Sequence, residues 1–184
     1  MSQHKRSIYN SYIDIYYICI SVRGNVSVQS TRNINSYLPQ AMVIIKGSEK
    51  YNKINGKAYL YSFKNGTIFK VEIGGLPNVN KNNFFGFHIH EGPECGSGKE
   101  EKDFEIAGEH LNLENDKHPN HIGDLPMIYS NDGYTYMEFF TSRFKPSDVI
   151  NHVLMVHENM DDLMTDPAGN SGERIACGKI VKYK

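Results

Sequence analysis

Tryptophan is absent from this 184-residue chain, cysteine occurs only three times, and neither sign of charge is in excess. Three cysteines cannot staple a disulfide-dense mini-fold, so the core has to come from the apolar residues, 39% of the sequence. Twenty Lys and Arg stand against 21 Asp and Glu; a dedicated nucleic-acid binder is usually basic, so no nucleic-acid partner is expected. No apolar run approaches the roughly 18 residues of a membrane-spanning helix, and the mean hydropathy is −0.51. No 3.6-residue apolar pattern persists over about four turns, and no internal repeat or low-complexity segment occurs. In place of tryptophan stand 12 Tyr and 9 Phe, which suit β-structure. The length is that of one domain with a tail.

Charge is unevenly spread. Residues 1–39 carry Lys5, Arg6, Arg23 and Arg32 against Asp14 alone. This segment also holds the apolar stretch Tyr12–Val22, a poor secretory signal: Asp14 interrupts it and no Ala-x-Ala site follows. It reads as an N-terminal extension, either a tail or an extra strand, and Cys19 and His4 go with it. Residues 40–184 form the expected folded domain. There, candidate strands are Ala41–Ile45, Lys57–Phe63, Thr67–Ile73, Phe84–His90, Tyr134–Thr141, His152–His157 and Ala176–Val181, and Pro146–Ile150 could open a short helical turn. Asn55-Gly56, Asn65-Gly66 and Asp132-Gly133 are hairpin or turn signals; Gly74-Gly75 and Gly92-Pro93 are further breaks. Many short strands with turn punctuation predict an antiparallel sandwich or barrel. Two stretches, near 91–133 and 158–175, fit no strand. Loops that long in a compact domain are usually functional, and each begins just after a histidine.

The histidines are clustered. His88-Ile89-His90 on a strand aims two imidazoles to one face while Phe87 and Ile89 enter the core. His110, His118, His121 and Asp124 follow within one loop, and His157 closes a strand at the mouth of the second loop. Imidazole with carboxylate suits zinc, and imidazole alone suits copper. His152, five residues before His157, falls on the opposite face and reads as structural or exposed. Cys95 and Cys177 flank the cluster and are either bridged or two buried thiols.

Gly86-Phe-His-Ile-His-Glu-Gly92, His-Ile-Gly-Asp-Leu-Pro over 121–126, and Gly169-Asn-Ser-Gly-Glu-Arg-Ile-Ala-Cys-Gly-Lys-Ile180 resemble copper–zinc superoxide dismutase over about 41–184. The resemblance, to the bacterial type with a short zinc loop, implies an eight-stranded antiparallel Greek-key β-barrel or sandwich (immunoglobulin-like). Two long functional loops would cover copper and zinc. It implies copper ligands His88, His90, His110 and His157, and zinc ligands His110, His118, His121 and Asp124, with His110 bridging. It makes Asp161 the carboxylate joining a copper histidine to a zinc histidine, and Cys95–Cys177 the disulfide. The implied activity converts two superoxide and two protons to oxygen and hydrogen peroxide by copper redox cycling, with zinc as structural partner. Arg174 would position the anion and His110 would carry a proton, the two catalytic roles. The resemblance leaves oligomeric state open: a homodimer is one candidate, since family members are often dimers, while other lineages use different surfaces or stay monomeric. A cytoplasmic location is favoured by the poor signal segment, while the disulfide and the apolar stretch leave export open.

The chain departs from the pattern in places. Only Pro119-Asn120 separate His118 from His121, where a longer insert is usual, and Glu109 precedes His110, where Gly is common. The loop Glu158–Glu173 holds five carboxylates and no Lys or Arg before Arg174, so weak steering of superoxide is expected. Two rival readings stand beside this one. One is a non-catalytic metal-binding module on the same barrel. The other is a cupin-type mononuclear metal oxygenase, since His88-x-His90-x-x-x-Glu94 resembles the first cupin motif; its second motif is missing. No His-Glu-x-x-His or Gly-x-Ser-x-Gly motif supports a hydrolase.

Overall fold

A computed structural model describes residues 38–78, 83–97 and 102–184; the tail with His4 and Cys19 lies outside them. The strands are β1 (Ala41–Gly47), β2 (Asn55–Phe63), β3 (Gly66–Gly74), β4 (Phe84–Phe85), β5 (Phe87–His90), β6 (Ile128–Tyr129), β7 (Tyr134–Thr141), β8 (Val153–His157) and β9 (Arg174–Lys182). Among the described residues there is no α-helix; Glu105–Ala107 and Pro146–Val149 are single 3₁₀ turns.

Every strand pairing is antiparallel. Seven strands form one sheet in the order β5-β8-β9-β1-β2-β3-β7, and β4 pairs with β6 in a short second ribbon. The non-sequential neighbours β5–β8, β9–β1 and β3–β7 are the crossovers of a Greek-key arrangement. β4 and β5 are one run interrupted at Gly86, so among the described residues the count agrees with the eight strands expected. The interruption has a cause: Gly86 N–H donates to Asn159 O at 2.7 Å and its carbonyl accepts from His157 N–H at 2.9 Å. A Cβ on Gly86 would meet the side chains of Ser171, His157 and His88.

Alternation builds the core. Along β1, Ala41, Val43 and Ile45 point inward, and Ala58 and Leu60 of β2 lie opposite them. Phe69 stacks on Phe139 (centroids 5.3 Å) and meets Phe87 edge-on (5.9 Å), joining β3, β7 and β5 through one ring. Such aromatic pairs add about 0.5–1.5 kcal/mol beyond area burial.

Two turn signals behave as read and one does not. Asp132-Gly133, both at positive φ (52° and 78°), turns the chain between the bridged pair Asn131 and Tyr134, a primed hairpin turn. The Asn65-Gly66 signal marks the β2–β3 hairpin, whose two loop residues are Lys64 and Asn65, with Gly66 opening β3 opposite Phe63. Asn55-Gly56 is instead the first pair of β2, facing Gly74 and Ile73. The turn comes earlier, where Tyr51 N–H donates to Ser48 O and Ile54 N–H to Tyr51 O. Gly56 is needed there because a Cβ would lie 2.5 Å from Glu72 O. β8 starts at Val153, so His152 precedes the strand; its Nδ1 pairs with Glu91 O at 2.8 Å, the structural role expected.

Candidate metal centre

The two long loops fold back over β5 and β8. Ile89 N–H donates to Gly123 O and Leu111 N–H to Ile89 O, both at 2.8 Å, so the first loop runs beside β5 almost as an added strand. Isolated bridges His88–Asp124 and His90–His110 lie in the same seam. At the far side, the β8–β9 pairing slips between Val156 and His157, opposite Arg174. Bulges re-aim side chains next to functional sites, and this one turns His157 and Arg174 into the space over β5.

There the structure brings seven predicted ligands together in two overlapping groups. Candidate ligand atoms of His88, His90, His110 and His157 lie within 4.8 Å of one another, and so do those of His110, His118, His121 and Asp124. All seven residues are buried, and His110 is common to both groups.

The hydrogen bonds fix which nitrogen is free on five of the six rings, all but His121. His88 Nε2–H donates to Asp161 Oδ2 (2.6 Å) and His118 Nε2–H to Asp161 Oδ1 (2.9 Å). His90 Nδ1–H donates to Gly108 O (2.9 Å) and His157 Nδ1–H to Gly172 O (3.4 Å). His110 Nδ1 sits 2.9 Å from Asp124 Oδ1. In a neutral imidazole, when one nitrogen is a donor the other carries a lone pair. The lone pairs of His90 Nε2 and His157 Nε2 therefore face each other at 3.1 Å. His88 Nδ1, His110 Nε2, His118 Nδ1 and His121 Nδ1 are buried without a hydrogen-bond partner. Buried polar atoms without partners cost about 1–3 kcal/mol each, and lone pairs converging in this way are what a bound cation would satisfy. The donor set fits the two metals implied: four nitrogens on one side, three nitrogens and a carboxylate on the other.

Burial, reinforced by neighbouring histidines, holds His90 and His157 well below the ordinary histidine range, and burial brings His88 down to about 4. The rings are therefore neutral at pH 7, the state in which imidazole binds metal. Burial pushes the Asp161 carboxyl up, but the bonds from His88, Leu163 N–H and His118 outweigh it and leave it at about 2. Asp124 is lowered in the same way, chiefly by His110 against burial.

Arg174 lies at the rim. Its Nη1 donates to Phe104 O (2.9 Å) and its Nη2 to Gly108 O (2.6 Å), the same carbonyl that orients His90. With His90, His110, His157, Glu109 and Asp166 it lines a cavity of about 220 Å³. Cys95 and Cys177 are bonded. Glu94, the carboxylate of the cupin-like motif, lies instead 3.8 Å from Lys179 and belongs to neither cluster.

Sequence reading missed Lys50 and Lys102, which reach the outer mouth beside Arg174, Glu109 and Glu173 from other loops. Lys50 sits 2.9 Å from Glu173. No local motif marks either lysine; only the fold brings them there.

Comparison with known proteins agrees with this geometry. Residues 54–180 match the family model described as copper/zinc superoxide dismutase (SODC). The chain is 35% identical over 149 residues to a Cu-Zn superoxide dismutase of Deinococcus radiodurans, covering 71% of this chain and 79% of that one. It is 36% identical over 146 residues to one of two from Aquifex aeolicus, covering 70% and 80%. Among solved structures, the Cu/Zn superoxide dismutase from Brucella abortus matches with a TM-score of 0.66 and 28% identity, covering 76% of this chain and 99% of that one.

Proposed function

The chain belongs to the copper/zinc superoxide dismutase family, and on that premise we propose which of its atoms do the work of a superoxide dismutase. Copper would be held by His88 Nδ1 and by the Nε2 atoms of His90, His110 and His157. Zinc would be held by the Nδ1 atoms of His110, His118 and His121 and by Asp124. The single observation that supports this most is that, of the five buried side-chain atoms left without partners among the described residues, all but Ser48 Oγ are among these donors, and that the other two copper donors, His90 Nε2 and His157 Nε2, face each other.

Copper held there would supply a one-electron couple, with which two superoxide and two protons give oxygen and hydrogen peroxide. The protein does the rest. Asp161 fixes the tautomers of His88 and His118 from one carboxylate, as outer carboxylates do for metal histidines. In the state in which it is not engaged by copper, His110 Nε2 would hold a proton for the departing peroxide, while Nδ1, on the zinc side, would limit how far the ring swings. Arg174 is always charged and has five N–H donors. Carbonyls of Phe104 and Gly108 hold its plane, leaving other donors for a diatomic anion, and the small cavity excludes larger ones. Residues 1–39 stand outside this catalytic domain, a division supported by a family match that begins at 54. Self-association belongs to the same proposal; the Phe84–Tyr129 ring pair (5.1 Å) is partly exposed on the β4–β6 ribbon, and light scattering separates one chain from two.

The test is dismutation by the purified full chain after loading with copper and zinc, beside zinc alone and beside His157→Ala. Cyanide-sensitive activity that requires copper and is lost in the variant is expected. Stoichiometric copper without activity would leave a metal-binding module.

A further inference from the structure

Arg143 belongs to neither histidine cluster, and nothing in the sequence marks it. It follows β7, where its backbone N–H donates to Thr141 Oγ1 (3.2 Å). The next residue, Phe144, is buried, and its carbonyl accepts from Thr67 Oγ1 at 2.8 Å. The stem of Arg143 is thus fixed to the barrel. Its Nη1 donates to three backbone carbonyls of one loop: His121 O (2.7 Å), Pro119 O (3.1 Å) and Asp124 O (3.3 Å).

That loop carries His118, His121 and Asp124 within seven residues. It is tightly turned, with Asn120 N–H donating to Lys117 O (2.8 Å), Asp124 N–H to His121 O (3.1 Å) and His121 N–H to Asp124 Oδ2 (2.9 Å). Only two residues separate the histidines, so the loop has little length in which to satisfy its own outward carbonyls. One guanidinium nitrogen, Nη1, gathers three of them with two N–H donors, so one donor is shared between two carbonyls. The side chains of two of these residues, His121 and Asp124, reach the other way, into the zinc-type cluster.

We propose that Arg143 is a positioning residue for the zinc site: a clamp from the barrel that holds the shortened loop in its metal-binding shape. The proposal rests on the zinc assignment above. Preorganised ligands bind more tightly because less ordering remains to be done on binding. Losing a partner outside the ligand shell typically costs about 10–100-fold in metal affinity. A second effect has the opposite sign. The guanidinium is a fixed positive charge, and its Coulomb repulsion of a nearby divalent cation weakens binding. Removing the charge therefore tells the two apart.

The experiment measures zinc and copper affinities of the full chain by chelator competition, for the parent, Arg143→Lys, Arg143→Gln and His121→Ala. Arg143→Lys keeps the charge and so supplies a folded variant, but its ammonium ends one bond short of the Nη1 position and cannot reach the same three carbonyls. Near-UV circular dichroism of each metal-free chain reports the fold. The expected result is a tenfold to hundredfold loss of zinc affinity in both Arg143 variants, with copper affinity within about threefold of the parent. Unchanged zinc affinity overturns the clamp. So does tighter zinc binding in Arg143→Gln, which would make charge repulsion dominant, or a parallel loss of copper, which would make Arg143 a general stabiliser. The zinc assignment has its own control: His121→Ala must lose zinc. Zinc affinity unchanged in that variant refutes the assignment and the clamp with it.

Discussion

Replacing Asp161 by asparagine should damage the copper site and spare the zinc site, although the carboxylate touches a ligand of each. Asp161 Oδ1 accepts from both His118 Nε2–H and Leu163 N–H (2.9 and 2.7 Å), whereas Oδ2 accepts from His88 Nε2–H alone (2.6 Å). An asparagine has one accepting oxygen and one donating NH₂. The oxygen keeps the position with two donors, so the NH₂ faces His88 Nε2. Two donors cannot bond, and His88 relieves the clash by moving its proton to Nδ1, the atom proposed to bind copper. The loss is one hydrogen bond to a charged group, about 1.5–3 kcal/mol, or roughly tenfold to a hundredfold in copper affinity at about 1.4 kcal/mol per decade. Zinc affinity should stay within about threefold, because His118 keeps its acceptor. Chelator competition for each metal separately reads both numbers. Loss of zinc with copper retained, or equal loss of both, would refute the tautomer argument.

Three further outcomes follow from the same structure. Cys95→Ala with Cys177→Ala opens a loop of 82 residues, for which chain entropy gives about 4.5 kcal/mol. The melting temperature should fall by roughly 10–18 °C at about 2–4 °C per kcal/mol, and a drop under about 3 °C would contradict the entropic account. In the metal-free chain, His88, His90 and His157 stay neutral below the ordinary histidine pKa of 6.5. The unfolded chain takes up protons there first, so stability is complete above about pH 6.5 and falls as pH drops toward 4. Each histidine contributes about 1.4 kcal/mol per pH unit, and a urea midpoint unchanged between pH 7 and 5 would refute this. At the mouth, Lys50, Lys102 and Arg174 face Asp103, Glu105, Glu109 and Glu173. With the signs nearly balanced, the rate constant for dismutation should change less than about threefold between 10 and 200 mM salt. A steep fall would mean strong steering.

Legibility in the sequence followed how local each feature is. Alternation in β1, β2, β3 and β7 could be read because each strand has one face in the core. β6 is two residues long and leaves no periodic trace. The break at Gly86 depends on Asn159 and His157 approaching from the second loop, contacts no local pattern encodes. Asn55-Gly56 carries the composition of a turn, but a sheet also needs glycine where a neighbouring strand comes too close for a Cβ, as Glu72 does here. The metal-type residues were legible because the chemistry limits them to His and Asp at set spacings. What supports them was not: Gly108 O, shared by His90 and Arg174, and the Arg143 fork act through backbone carbonyls, which are the same for every residue type. Lys50 and Lys102 reach the mouth only through the fold.

The central claim concerns which atoms hold which metal, and anomalous diffraction from a crystal loaded with both, recorded at the copper and zinc absorption edges, tests it most directly. The account predicts a copper peak bonded to His88 Nδ1 and the Nε2 atoms of His90, His110 and His157. It predicts a zinc peak bonded to the Nδ1 atoms of His110, His118 and His121 and to Asp124, with metal–nitrogen distances near 2.0–2.1 Å for zinc. One peak alone, or copper bound away from the facing pair His90 and His157, would contradict it.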